Sequence, residues 1–368
     1  MIRKRVIKDG LLTIISRVLP IFILQYMIHP FLGESLTQGE YGNLITAMAL
    51  INLSGFTLGN VLNNSRLILQ KKYLNILVLI MKYKLITGDN LDVLKTMPDD
   101  SIDACITDPP YGMEIAGVGW DHDVPPVETW KEVLRVLKPG AFCLSFCSPE
   151  LYHRMATKVD DGGFDIKDQI MWMVTTKMAK FNRLKPAHEP IVVAQKPFEG
   201  TIQKNFDKWG VGKINVEATR IPWDGKPPTG WIKGYRRSFG KPVNKAKDDK
   251  ARKTIDANPN GRYPSNIIGH FHNPDHQKYF YAPRVSRKER GEYNDHPTPK
   301  PISLMSYLIK VYCPTNGKVL DPYNGSGSTG IAAINLKNEY IGIDSDPNYI
   351  KISEKRIKEN CQMLDSPL

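Results

Sequence analysis

Cysteine is scarce in this 368-residue chain, and its count is odd. Cys105, Cys143, Cys147, Cys313 and Cys361 are scattered along it. That excludes a disulfide-framed secreted domain and points to reduced thiols in a cytoplasmic protein. Metal-ligand spacing is lacking too. His270, His272 and His276 lie close together, but no cysteine accompanies them and no four-ligand pattern forms, so no metal is expected. Acidic residues are in deficit, with 38 Asp and Glu against 50 Lys and Arg, a net charge of +12. After Met81 no apolar run approaches the roughly 18 residues that cross a bilayer, which excludes a multi-span transporter over that part.

Residues 1–80 have a different character. Leu11 to Leu32 is strongly apolar but interrupted by Arg17, Gln25 and His29, and Leu44 to Leu62 runs 19 residues without a charge. Together, residues 11–62 are a candidate membrane contact. Gly39-Glu40-Tyr41-Gly42-Asn43 and Asn63-Asn64-Ser65-Arg66 resemble the start of a polysaccharide flippase. Such a transporter needs many more spans. The segment is therefore read as a fused remnant, or as a start codon set upstream of a true start at Met81. A membrane tether is the other reading.

What is present lies further on. Ala104-Cys105-Ile106 reads as a short buried strand and is followed by Thr107-Asp108-Pro109-Pro110-Tyr111-Gly112. Two prolines neither continue a ladder nor start a helix interior. The chain leaves the sheet there, stiff, with a carboxylate before the prolines and an aromatic ring after them. Asp108 and the Pro109 carbonyl suit the two hydrogens of an amino group on a planar ring, and Tyr111 suits its face. A Pro-Pro turn with a capping Asp fits the same residues.

The second stretch is Val319-Leu320-Asp321-Pro322-Tyr323-Asn324-Gly325-Ser326-Gly327-Ser328-Thr329-Gly330, a strand, an Asp, a Gly-rich turn and a helix start. Its glycines allow close backbone approach to a ligand. It lacks the lysine of a phosphate-binding loop and the full dinucleotide spacing. The next strand, Tyr340-Ile341-Gly342-Ile343, ends at Asp344, a position suited to ribose hydroxyls. Jointly the two stretches resemble the amino-group DNA methyltransferases that use S-adenosylmethionine. The catalytic motif precedes the cofactor motif with a long insert between them, as in the beta group of that family. The basic insert is most similar to phage and prophage-type enzymes. The resemblance runs from about Lys82 to the C-terminus.

The resemblance implies an α/β fold, a circularly permuted Rossmann-like S-adenosylmethionine-dependent methyltransferase sheet with an inserted target-recognition region, behind a membrane-like helical extension. The implied parts are residues 1–80 (flippase-like remnant), 81–195 (first half, catalytic motif), 196–295 (target recognition) and 296–368 (second half, cofactor motif). It assigns catalysis to Asp108, Pro109, Pro110 and Tyr111. It assigns cofactor binding to Asp89, His296, Thr298, Lys300, Asp321, Pro322, Gly325, Gly327 and Asp344. Asp89 alone also reads as a helix N-cap, and His296-Pro297-Thr298-Pro299-Lys300-Pro301 alone reads as a Pro-started helix. The partner implied is double-stranded DNA, with N6 of adenine as the methyl acceptor because the motif begins with Asp; cytosine N4 is the alternative. Two other classes are weighed: a transport fragment, which rests on residues 1–80 alone, and a DNA-binding protein with a dead cofactor site, against which the intact motifs stand.

Charge distribution agrees with a nucleic-acid partner. Between Lys196 and Asp295 stand 21 Lys/Arg against 11 Asp/Glu, with Trp209, Trp223 and Trp231 interleaved. Arg236, Arg237, Lys233 and Trp120, the last in a Gly-rich stretch after Tyr111, are the candidate DNA contacts. Elsewhere strands alternate with helices, at Tyr83–Thr87, Ala141–Phe146, Ile166–Val174 and Ile191–Ala194 for the former, and from Leu91, Val127, Tyr152 and His296 for the latter. That alternation predicts a parallel-type sheet covered on both faces, with Asp89, Asp108, Asp321 and Asp344 at the carboxyl ends of strands; the resemblance implies that the Asp321 strand lies beside the Asp108 strand. Oligomeric state is not legible.

Overall fold

A computed structural model describes residues 82–113, 121–174, 184–227, 257–270, 277, 280–283 and 299–360, with backbone alone at 231–232 and 254–255. The readings of residues 1–80, of Trp120, of Lys233, Arg236 and Arg237, and of His296 and Thr298 lie outside the described residues.

Strand β1 (Tyr83–Thr87) turns through Asp89 into α1 (Asn90–Lys95). Strand β2 (Ile102–Thr107) is buried along its whole length, as an inner strand with both faces covered must be. Helix α2 (Val127–Val136) buries Trp130, Val133 and Val136 at helical spacing. It passes directly into β3 (Leu137–Phe146), which begins earlier than the predicted Ala141. The proline there is accommodated because the β2–β3 register slips between Ile102↔Leu137 and Ala104↔Phe142, with Gly140 at φ +83° inside the irregularity. Next come α3 (Tyr152–Asp161), β4 (Asp165–Met173), β5 (His188–Gln195) and α4 (Ile202–Trp209). The short strands β6 (Trp231–Ile232) and β7 (Thr254–Ile255) pair with each other, and β8 (Ile267–Ile268) follows. The last third holds α5 (Ile302–Tyr312), β9 (Lys318–Asp321), α6 (Ser328–Asn335), β10 (Glu339–Asp344) and α7 (Pro347–Asn360).

Eight of these strands form one sheet in the order β1-β10-β9-β2-β3-β5-β4-β8. The late strands β9 and β10 are threaded between the early strands β1 and β2. This is the permuted Rossmann-like order expected, with the Asp321 strand against the Asp108 strand. Strands β1, β10, β9, β2 and β3 run parallel, and β5 runs antiparallel to both β3 and β4. The parallel-type expectation is corrected for β5. The connector before it carries no helical apolar period, and a parallel return needs a crossover of about a dozen residues or more, usually helical.

Two large cores cover the sheet. Ala104, Ile106, Leu144 and Val193 pack with Leu304, Leu308 and Ala332 of α5 and α6 in one cluster. Ile102, Cys105, Cys143 and Val192 pack with Trp130, Val133, Met155 and Val159 of α2 and α3 in the other. Four cysteines are buried and free among the described residues.

The stretch 196–295 is less detached than its composition predicts. Helix α4 is capped by the Thr201 hydroxyl and closed by Gly210 at φ +74°. Its buried Asn205 donates to the carbonyls of Pro139 (2.9 Å) and Val211 (3.1 Å), which ties it to the start of β3. Strand β8 belongs to the main sheet through β4. Lys241 to Lys253 lies outside the described residues. Among the described residues no helix is long and apolar enough to cross a membrane.

Candidate active site

A cavity of about 390 Å³ opens at the carboxyl edge of the parallel strands. One end is lined by Asp108, Pro109, Pro110, Tyr111 and Glu189, the other by Asp89, Pro322, Gly325, Asp344 and Asp346, with Lys300 and Tyr323 also in the wall. Of the expected site residues that are described, this cavity gathers all but Asp321 and Gly327. Asp321 lines a smaller adjoining cavity with Ser326 and Thr329.

Asp108 leaves the end of β2 with its carboxylate already engaged. Tyr111 Oη donates to Oδ1 at 2.7 Å and Lys300 Nζ to Oδ2 at 2.5 Å. Burial raises the Asp108 pKa, the Lys300 ammonium pulls it back, and the Glu189 carboxylate pushes it up again. For Lys300, burial works against the charge, but Asp108 and Glu189 outweigh it and the ammonium titrates above its ordinary range. Burial likewise lifts Tyr111 well above an ordinary phenol, with Asp108 and Glu189 adding to the shift, so Tyr111 is a neutral donor.

Neither Glu189 nor Asp121 was singled out from the sequence. Because β5 runs antiparallel, its first residues sit at the edge where the parallel strands end, and this puts Glu189 beside Asp108. The legible signal was a carboxylate set directly before an apolar strand and a proline. Asp121 is buried, 1% exposed, and closes the loop after the prolines. It accepts from the amides of Tyr111 (2.7 Å), Gly112 (2.8 Å) and Met113 (3.2 Å), with Gly112 at φ +70°. Three backbone donors on one carboxylate fix the path that aims Tyr111.

At the other end each carboxylate ties down backbone. Asp89 Oδ1 accepts from the Leu91 (2.9 Å) and Asp92 (3.2 Å) amides, so the helix-cap reading is realised while the residue also lines the cavity. Asp344 accepts from Gly325 N (2.7 Å) and Asp346 N (2.9 Å) and so pins the glycine turn. Asp321 is engaged by Thr107 Oγ1 (2.7 Å), Thr329 Oγ1 (2.7 Å) and Tyr323 N (3.2 Å). It bolts the glycine turn to the strand that carries Asp108. The buried Arg356 completes the turn from α7, donating to the Ser326 carbonyl (2.5 Å) and hydroxyl (2.8 Å).

Burial holds Asp321 up at about 6 against those hydrogen bonds, whereas an unperturbed Asp titrates at 3.8. Between these values the folded chain keeps a proton that the unfolded chain has released. Stability therefore falls as pH rises through the window. Asp321→Asn has no proton to lose. Its stability relative to the parent is expected to rise by about 2 kcal/mol between pH 4.5 and 7.5, read from urea unfolding at the two pH values. A difference that is flat with pH would show that the carboxylate is already ionised in the fold.

Carboxylates at the ends of parallel strands, a glycine turn opening a helix, and one cavity at the strand ends define a class: an α/β fold with a small-molecule site at the carboxyl edge of its sheet. The sequence profile of the N6/N4 DNA methylases matches residues 102–355, and the chain belongs to that DNA methylase family. Similar proteins include the type II methyltransferase M.HinfI of Haemophilus influenzae, 26% identical over 299 residues, covering 75% of this chain and 68% of that one. The type II methyltransferase M.HpaI of Haemophilus parainfluenzae is 26% identical over 297 residues, covering 78% and 77%. Among solved structures, the PvuII DNA methyltransferase, described as cytosine-N4-specific, shares 16% identity at a TM-score of 0.49, covering 78% of this chain and 94% of that one. The comparisons do not support the flippase-like reading of residues 1–80.

The cofactor of the family is S-adenosylmethionine. The residues present fit it. The cavity has the volume of a small-molecule site, and its wall is acidic, as suits a sulfonium cation. Two glycines with positive φ, Gly325 (+50°) and Gly327 (+80°), hold the turn in a shape that side chains resist.

Proposed function

We propose that this chain is a site-specific DNA methyltransferase that moves the methyl group of S-adenosylmethionine onto the exocyclic N6 of an adenine flipped out of the duplex. The observation that carries the reading is the single cavity with Asp108-Pro109-Pro110-Tyr111 at one end and Asp89, Gly325 and Asp344 at the other. Adenine is preferred over cytosine because Asp leads the Pro-Pro-Tyr motif, as in the adenine-N6 members of the family this chain resembles.

Bound S-adenosylmethionine supplies a methyl group already activated by the positive sulfur. The acceptor nitrogen is weak, because its lone pair is delocalised into the ring. Asp108 and the Pro109 carbonyl accept its two hydrogens, favour a tetrahedral nitrogen and hold it in line. The carboxylate also favours the positive charge that develops there. Tyr111 replaces the stacking lost on flipping, worth about 1–3 kcal/mol. Asp89, Pro322, Gly325, Gly327 and Asp344, with His296 and Thr298, hold the cofactor, Asp321 supports their turn, and Lys300 pairs with Asp108 at the base end. Residues 81–195 and 296–368 make the catalytic body, and 196–295 carry target recognition, with Trp120, Lys233, Arg236 and Arg237 toward the DNA.

The test uses the full chain, S-adenosylmethionine and unmethylated duplex DNA of diverse sequence, digested to nucleosides for mass spectrometry. Methyl on adenine N6 is expected. Methyl on cytosine N4 would keep the family chemistry and overturn the base assignment. Unmodified DNA from folded protein would sink the proposal.

A further inference from the structure

Both side chains that occupy Asp108 share a second acceptor. Tyr111 Oη, 2.7 Å from Asp108, is also 3.3 Å from Glu189 Oε2. Lys300 Nζ, 2.5 Å from Asp108, is 3.4 Å from the same Glu189 oxygen. A target amino group reaching Asp108 brings its own N–H donors and competes with both. On the reading of Asp108 as acceptor of the target amino group, we propose that Glu189 is a positioning residue that takes Tyr111 and Lys300 over from Asp108 when the base enters. It thereby sets the site's preference for a base bearing an exocyclic amino group.

The geometry makes the handover small. Each donor already lies near both carboxylates, so sub-ångström movements exchange the short contact for the long one. Charge makes it necessary. The Lys300 side chain is 7% exposed and that of Glu189 12%. A lysine displaced from Asp108 with no second carboxylate would keep only the neutral Tyr111 hydroxyl, 3.1 Å away, beside its largely buried charge. With Glu189 in place the ammonium stays paired throughout, and no bond forms or breaks in the protein. Glu189 is held for this role. Pro190 follows it with φ fixed, and β5 is paired on both sides by β3 and β4.

The test compares full-length parent and Glu189→Gln on two duplexes containing the site mapped by methylation. One carries the target base, and the other an abasic position that presents no amino group. Fluorescence anisotropy reads binding, and single-turnover transfer reads chemistry. Glu189→Gln is expected to lose about tenfold in affinity and in transfer rate on the intact duplex, yet to bind the abasic duplex within about twofold of the parent. Equal losses on both duplexes would mark Glu189 as merely structural. No loss on either would overturn the handover outright. Should Glu189→Gln fail to fold, Glu189→Asp, which keeps the charge one methylene further back, carries the same comparison. A parent that methylates no duplex takes down the functional reading and this inference with it; an active parent matched by its variant takes down this inference alone.

Discussion

Asp108→Ala is expected to lower single-turnover methyl transfer by about 200- to 1,000-fold while leaving the cofactor affinity within about threefold of the parent. The size follows from what Asp108 does at one nitrogen. It orients the amino group and bears the only anionic contact proposed for the charge that develops there. Interactions of that kind are worth about 3–4 kcal/mol when they strengthen in the transition state. The split between rate and affinity follows from position, since Asp108 lies at the base end of the cavity and Asp89, Gly325 and Asp344 at the other. The fold is expected to survive, because Lys300 retains Glu189 at 3.4 Å when Asp108 is gone. Asp108→Asn keeps the shape and removes the charge. It is expected to lose about a hundredfold, since its amide can turn an oxygen toward one hydrogen but cannot balance the forming cation. Transfer of labelled methyl groups measured beside equilibrium cofactor binding decides the matter. Loss of binding and rate together would place Asp108 among the cofactor's supports instead.

The fold class was legible because its carriers are local. A buried run ending in Asp-Pro-Pro, another ending in Asp-Pro and a glycine turn, and a third ending in Asp344 mark strand ends whatever the tertiary context. The threading of β9 and β10 between β1 and β2 was reachable only through the family resemblance. Nothing local tells Asp321 that Thr107, 214 positions earlier, will donate to it.

What the sequence hid depends on direction and on long-range pairing. Glu189 enters the site only because β5 runs against its neighbours. Periodicity reports that a strand exists but not which way it points. Lys300 was assigned to the cofactor by its motif, yet its ammonium meets Asp108, 192 positions away. Asp121 looked like one more loop carboxylate, and its role rests on three amides converging from the chain beyond the prolines. The insert's composition, basic and rich in glycine and proline, concealed α4 and the two residues of β8, which is too short to announce itself by alternation.

The second large effect concerns Gly327. It caps α6 at φ +80° and ψ +25°, a left-handed conformation that side chains resist. A Cβ built there would sit 2.1 Å from Ser353 Oγ, 2.9 Å from Ser353 Cβ and 3.2 Å from Ser353 Cα. The hydroxyl can rotate away, but it then leaves Asn324 Oδ1, to which it donates at 3.2 Å. Crowding against the Ser353 backbone and its first side-chain carbon persists whatever the rotamer, so α6 and α7 must part. Backbone strain and overpacking together put Gly327→Ala at about 3–5 kcal/mol, or roughly 4–8 °C in thermal midpoint. The glycine turn moves with the helix start. Gly325 N then loses its aim at Asp344, and cofactor affinity is expected to fall by about tenfold or more. A second substitution separates crowding from backbone strain. Ser353→Gly alone should destabilise by about 1–2 kcal/mol, through the lost hydrogen bond and glycine's poor helix propensity. In the Gly327→Ala background it removes the obstructing side chain, so it should cost nothing or restore stability, a coupling of about 1–3 kcal/mol. Strictly additive losses in unfolding experiments would assign the whole cost to the left-handed backbone. In that case the close approach of α6 to α7 would not be what this glycine serves.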